Sequence, residues 1–389
     1  MRTEGDFIHI NEWLLPFSFL YGIAVTIRNK LFDWGILKSR TFDIPVISVG
    51  NITVGGSGKT PHVEYLVNLL KDKLKIAVLS RGYKRKTRGY QLANDNSTAQ
   101  EIGDESYQIH KKYPNIYVAV DRKRVEGIEY LTSNEATKDV DAILLDDAFQ
   151  HRYVTPGINI LLVDYHRLII YDRLLPAGRL RESVSEKHRA DMVIITKCPK
   201  DLKPMEFRVL TKAMDLYPYQ DLYFTTFAYK KPVNIFSGQQ IDTLKGRNVL
   251  LLTGIASPKQ MAFDLKAKCK SLQLMSFKDH HQFSREDIEA INKRFSELPS
   301  PKIIITTEKD AARIEPASGL SEEAKESLYA LPVYVKFLLN QEDLFNNKIT
   351  SYVRKNSRNS ILAKRKDDNK PDNSNHPGNG VGTISFRNN

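Results

Sequence analysis

The chain has 389 residues, 41% of them hydrophobic and 27% charged, and a formal net charge of +12. That balance excludes a wholly disordered chain and leaves room for two domains, each with its own core. The basic excess favours an anionic partner, whether nucleic acid, a membrane surface or a phosphorylated substrate, and charge alone does not choose among them. Two cysteines, Cys198 and Cys269, are too few and too distant for a disulfide framework or a metal cluster, which points to a reducing cytoplasm.

The first element is the uncharged run Trp13 to Ile27, "WLLPFSFLYGIAVTI". Glu4, Asp6 and Glu12 precede it and Arg28 and Lys30 follow, the reverse of a signal peptide. It is short for a span, which needs about 20 apolar residues, and Pro16 and Gly22 interrupt it. Flanking tryptophans and a basic end suit a helix lying in the membrane interface. Packing against the protein's own core is the alternative.

Next comes "PVISVGNITVGGSGKTPHVEYLVNLL", residues 45–70, in which an apolar run passes through a glycine cluster into a helical pattern. In a P-loop, glycines let backbone N–H groups converge on phosphate oxygens, a Lys neutralises charge and the following hydroxyl binds Mg²⁺. Gly55, Gly56, Ser57, Gly58, Lys59 and Thr60 supply those parts, although Thr53 stands where the full pattern has glycine. A glycine-rich structural turn is the bland alternative.

Further apolar runs follow at 75–82, 116–122, 141–150, 158–164, 190–197, 248–256 and 301–310. Their near-continuous hydrophobicity, with helical stretches such as residues 60–74 and 285–298 between them, predicts an α/β fold. The expected sheet is mostly parallel, P-loop NTPase-like, with helices on both faces and a second, smaller α/β domain. The run at 141–150 ends in Asp146 and Asp147, carboxylates placed to hold a metal beside a P-loop. From about residue 225 the pattern loosens into what reads as a linker. The expected division is 1–35 as a membrane-associated helical segment, 36–220 as the P-loop domain and 221–354 as the second domain. Residues 355–389, polar and with seven Lys/Arg against three Asp, read as a disordered tail.

The combination "VGNITVGGSGKT", "LSRGY", "GDE", "DDAFQHR", "LLPAGRLRE", "DHHQF" and "TTEKDAAR", in that order, resembles the tetraacyldisaccharide 4'-kinase family of lipid A biosynthesis. Two positions depart from the family pattern: Ala148, where Gly is usual, and Ser106, where Pro often follows "GDE". The resemblance implies ATP-dependent, Mg²⁺-assisted phosphorylation of the 4'-hydroxyl of a tetraacyl disaccharide 1-phosphate. The expected location is the cytoplasmic face of the inner membrane. A lipid phosphate substrate and an anionic surface fit the basic balance and the apolar N-terminal run. The expected enzyme is peripheral and monomeric, with no nucleic-acid partner.

Roles follow from phosphoryl-transfer chemistry, in which positioning and charge neutralisation dominate. Lys59 is expected on the transferring phosphate, and Thr60 and Asp147 on Mg²⁺ with Asp146 beside it. Glu182 resembles the family's metal-side acid. Arg81, Arg122 and Arg181 are candidates for charge stabilisation or substrate phosphate. Asp104 and His280 resemble the family's acid–histidine pair for the acceptor proton, with His281 as competitor. Thr307, Glu308, Lys309 and Asp310 are candidates for contact with the nucleotide base, or else a helix start capped by Thr307. The rivals are a regulatory GTPase-type switch, for which the chain lacks the guanine-specifying Asn, and a nucleic-acid-dependent ATPase, for which it lacks a helicase motif set.

Overall fold

Each of the eight apolar runs read as buried strands becomes a strand in the computed structural model, which describes residues 8, 10–255, 258–279 and 281–356. The expected tail lies outside the described residues beyond Asn356, while Lys355 and Asn356 complete the helix Glu342–Asn356. In chain order the strands are β1 (Val46–Gly50), β2 (Ile76–Ser80), β3 (Gln91–Leu92), β4 (Tyr117–Val120), β5 (Ala142–Asp146), β6 (Ile158–Asp164) and β7 (Met192–Thr196). They continue as β8 (Asp221–Tyr229), β9 (Val233–Asn234), β10 (Asn248–Thr253), β11 (Ser271–Ser276), β12 (Lys302–Thr307), β13 (Leu328–Leu331) and β14 (Val333–Phe337).

Nine strands form one sheet in the order β14-β8-β7-β6-β1-β5-β2-β4-β3, and five form another in the order β11-β10-β12-β13-β9. Within the large sheet only the edge pairs β14–β8 and β3–β4 are antiparallel. Its central strands are buried on both faces because helices cover both. Ile47, Val49 and Val78 meet Val63 and Leu66 of the helix Lys59–Leu70 on one side. Val46, Ala77 and Leu79 meet Ile128 and Leu131 of the helix Arg124–Ser133 on the other.

The expected division near residue 220 needs correction. Asp221–Tyr229 is a strand of the large sheet, and after the small sheet the chain returns to it as β14, with Val333 opposite Tyr229 and Phe337 opposite Thr225. The small lobe therefore lies between Lys230 and Pro332, whose backbones are bonded to each other at 2.9 Å. The linker reading failed because "YFTTFAY" carries polar Thr225 and Thr226 inside a buried strand. Thr225 Oγ1 is 3.1 Å from His62 Nε2, so its polarity is satisfied within the core. The helix Glu342–Asn356 then adds Phe345, Ile349 and Val353 to the core, with the Phe345 ring 5.3 Å from Tyr223 and 4.7 Å from Phe337. Val46 N donates to the Tyr352 hydroxyl at 3.2 Å.

At the N-terminus the chain forms the helix Leu15–Asp33. Ser18, Asn29 and Phe32 are buried against the body of the protein, while Trp13, Phe17, Phe19, Leu20, Ile23, Ile27 and Trp34 remain exposed. No helix among the described residues is long and apolar enough to cross a membrane.

Candidate active site

Strands β1 and β5 are neighbours in parallel register, with Val49 opposite Asp146. The loop leaving β1 and the acid pair leaving β5 thus emerge side by side at the carboxyl ends of the sheet, where ligands bind in such folds. Gly58 adopts φ 87°, and a Cβ there would come within 2.7 Å of the Phe227 ring, so the turn into the helix Lys59–Leu70 requires glycine. Asn51 Nδ2 closes the loop from inside, donating to Ser57 Oγ at 2.8 Å and Thr53 Oγ1 at 3.2 Å. Thr196 Oγ1 donates to the Ser57 carbonyl at 2.9 Å, and Lys197 Nζ donates to the Gly56 carbonyl and to Asp164.

Thr53 finds a physical reason in the same place. It bridges Leu180, while Val54 N donates to Arg179 O at 2.8 Å and Arg181 N to Ile52 O at 2.7 Å. An extended limb pinned to a second segment suits a β-branched residue. The helix that begins at Lys59 directs its N-terminal dipole toward the loop, which gives an anion cradle, with Thr60 in its first turn.

Asp147, at φ 47°, turns out of β5 toward the cradle. Its carboxylate lies 3.2 Å from Arg181 Nη1 and 3.6 Å from Lys59 Nζ. Burial pushes this carboxyl up, but Lys59 and Arg181 prevail and hold it below the usual carboxylate value. Asp146 is only 2% exposed. Burial, with the negative charges of Glu105 and Asp147, drives it well above the usual range against the pull of Lys59 and Arg124. Its Oδ1 is buried with no hydrogen-bond partner among the described residues. An orphaned carboxylate oxygen beside an anion cradle fits a divalent cation.

Glu182 is buried in the cavity wall and accepts from Arg189 and, at 3.3 Å, from Asn29 Nδ2 of the N-terminal helix. That helix enters the wall at two further points, with Tyr21 donating to Arg181 O at 2.8 Å and Arg28 to Gln150 O at 3.0 Å. One cavity of about 400 Å³ is lined by Tyr21 and Arg28, by Arg81, Asp146, Asp147, Arg181 and Glu182, and by Asp104. Residues far apart in sequence therefore share one space.

Other candidates lie elsewhere. Arg122 is exposed and outside the cavity lining, whereas Arg124 is 2% exposed and donates to the backbone carbonyl of Asp146 at 3.3 Å. The helix phase, legible from Val125, Ile128 and Leu131, is what separates the two arginines of "DRKR". Thr307 caps the helix Glu308–Ile314 and receives Asp310 N at 3.0 Å, the helix-start alternative. Glu308 accepts from Lys112 at 3.0 Å, and Lys309 lies 3.3 Å from Glu105 and 3.4 Å from Asp279. Glu308 and Lys309 thus join the lobes, while Thr307 and Asp310 bond to each other, to Gly254 and to Arg313 within the small one, and none of the four is among the cavity's lining. His280 lies outside the described residues. His281 is 2.8 Å from Asp287 and stacked on Phe277. Ser106, one of the departures from the family pattern, is bonded at 2.6 Å to Ser80 and anchors the helix Asp104–Lys112 to the end of β2.

A strand, anion cradle and helix, with a carboxylate pair on the adjoining strand and a lysine between them, define a P-loop phosphotransferase. Residues 10–354 match the tetraacyldisaccharide-1-P 4'-kinase family, and the chain belongs to it. It is 56% identical to the tetraacyldisaccharide 4'-kinase of Phocaeicola vulgatus over 92% of this chain and 99% of that one. The enzyme of the same name from Bacteroides thetaiotaomicron is 52% identical over 93% and 98%. Among solved structures, LpxK from Aquifex aeolicus in complex with ATP is similar at a TM-score of 0.66 and 31% identity, over 87% of this chain and 98% of that one.

Proposed function

We propose that this chain transfers the γ-phosphate of ATP to the 4'-hydroxyl of a tetraacyl disaccharide 1-phosphate, in lipid A biosynthesis. The observation that carries the reading is the single cavity that joins the acid pair, Asp104 and the N-terminal helix. It places a phosphate-handling site beside a helix whose far side is apolar and exposed. The chain's family membership and the activity named for its relatives support the same conclusion.

The Gly55–Thr60 loop cradles the nucleotide phosphates and Lys59 neutralises the transferring group. Thr60, Asp146 and Asp147 would hold Mg²⁺, with Glu182 beside them, and the cation supplies charge neutralisation to the phosphates. Arg181, already paired with Asp147, and Arg81 offer cationic groups to developing charge or to the substrate's own phosphate. The acceptor oxygen forms its bond to the γ-phosphorus as the bond to the bridging β,γ-oxygen breaks. Asp104 takes the hydroxyl proton, with His280 as its partner. The exposed apolar side of the helix Leu15–Asp33 seats the enzyme on the cytoplasmic face of the inner membrane.

The test is transfer of radiolabelled γ-phosphate from ATP to a tetraacyl disaccharide 1-phosphate in detergent micelles. Absence of labelled lipid from folded protein would overturn the reading.

A further inference from the structure

Arg313 is 6% exposed and belongs to the helix Glu308–Ile314 of the small lobe, yet its guanidinium ends on a residue of the large lobe. Nη2 and Nε donate to Asp104 Oδ2 at 2.6 and 3.0 Å. On its other edge Nη1 donates to Asp310 Oδ1 at 3.1 Å. Asp310 is fully buried and is itself fixed, accepting from Gly254 N at 2.9 Å and from the Thr307 hydroxyl at 2.7 Å. The approach leaves little room for a side chain at Gly254, where a Cβ would lie 3.0 Å from Asp310 Oδ1. The connection thus runs from the end of β10 through Asp310 and Arg313 to Asp104.

We infer that Arg313 is a positioning residue for the transfer reaction: it orients the Asp104 carboxylate from the opposite lobe, so that the group receiving the acceptor proton is set only when the small lobe is docked. The inference rests on Asp104 as proton acceptor. A planar guanidinium holding one oxygen with two N–H groups fixes the carboxylate's rotation, which a flexible ammonium cannot do. A carboxylate is intrinsically a weak base toward a sugar hydroxyl, so its catalytic value depends heavily on aim. Asp310 balances the buried positive charge and holds the guanidinium from its other edge. Lys112 reinforces the docking at a distance, spanning Glu64 of the large lobe at 2.6 Å and Glu308 of the small lobe at 2.8 Å.

The experiment is a double-mutant cycle on kcat with Arg313→Gln and Asp104→Asn in the full chain, with KM for ATP and thermal unfolding recorded alongside. Arg313→Gln is expected to lower kcat roughly 10- to 100-fold, part of the typical 10²- to 10⁴-fold of a general base. KM for ATP should stay within about twofold, since no part of the cradle is touched. In the Asp104→Asn background the same change should have almost no effect on kcat. Arg313→Lys, which keeps the charge, should fall between wild type and Gln, and it replaces Gln in the cycle if Gln does not fold. Equal fold-losses in both backgrounds, or unchanged kcat in the single variant, would overturn the inference. Full activity in Asp104→Asn alone would instead remove the proton-acceptor reading on which it rests.

Discussion

Lys59 Nζ stands 3.6 Å from Asp147 Oδ1, an ion pair made across the cradle rather than along one element. In the proposed reaction the lysine assigned to the phosphates is thus held by the carboxylate assigned to the cation. Neither side chain is fully buried, at 13% and 34% exposed, so the pair belongs to the chemistry more than to the fold.

Lys59→Ala is therefore expected to lower kcat by about 10²- to 10³-fold, the loss typical of one preorganised electrostatic group. The melting temperature should move little, because no core contact is lost. Labelled-phosphate transfer and a thermal scan on the same preparation check both halves of the expectation. Unchanged turnover would make the loop structural.

Lys112 behaves oppositely, because one of its partners, Glu64, is buried. Glu64 is 5% exposed, and removing Lys112 leaves that carboxylate without its counter-charge. Lys112→Met should lower stability by about 3 to 5 kcal/mol, while the double variant with Glu64→Leu recovers most of the loss. Urea unfolding of the wild type, the two single variants and the double variant decides it.

His151 sets an acid limit on stability. Burial, and then the positive charges of Arg124, Arg28 and Arg81, lower its pKa from 6.5 to about 4. Between those values the unfolded chain binds a proton that the folded chain refuses. The stability that His151 contributes is therefore complete above pH 6.5 and is lost as the pH falls toward 4, by at most about 1.4 kcal/mol per pH unit. Replacing it with a non-titrating residue, His151→Gln, should flatten that part of the stability–pH curve. Parallel urea midpoints at pH 7.5 and 5 for the two proteins make the comparison.

The exposed side of the N-terminal helix gives a separable expectation. Trp13, Phe17 and Leu20 face solvent, so changing all three to Ser should abolish sedimentation with anionic vesicles while leaving the melting temperature unchanged. Each side chain buried in lipid contributes roughly 1.5 to 3 kcal/mol. Retained vesicle binding with a lowered melting temperature would assign the three residues to internal packing.

The central strands were legible because burial on both faces leaves an unbroken apolar run, and the cradle because its chemistry is local in sequence. The same logic failed where polar residues are buried with partners, as at Thr225 in β8. It failed also where a strand is too short or too exposed for a pattern, as in β3 and in β11, whose residues are mostly exposed. Arg313 carried a usable signal that went unread: it lies three residues after Asp310, a spacing that puts both on one helical face. That the helix would carry them to Asp104, 209 residues earlier, depends on how two sheets dock. No local pattern encodes that.

The return of β14 and the helix Glu342–Asn356 to the large sheet also bears on how the protein is made. A chain synthesised from its N-terminus presents β1 and the cradle early, yet Tyr65 and Tyr223 must wait for Phe337 and Phe345 to pack against them. Until those residues leave the ribosome, a sticky hydrophobic surface stays open on the catalytic half, and contacts so remote in sequence close slowly. A nonsense mutation near residue 330 would spare every side chain lining the cavity and still yield a polypeptide prone to aggregate, one that the cell's chaperones and proteases would be left to clear.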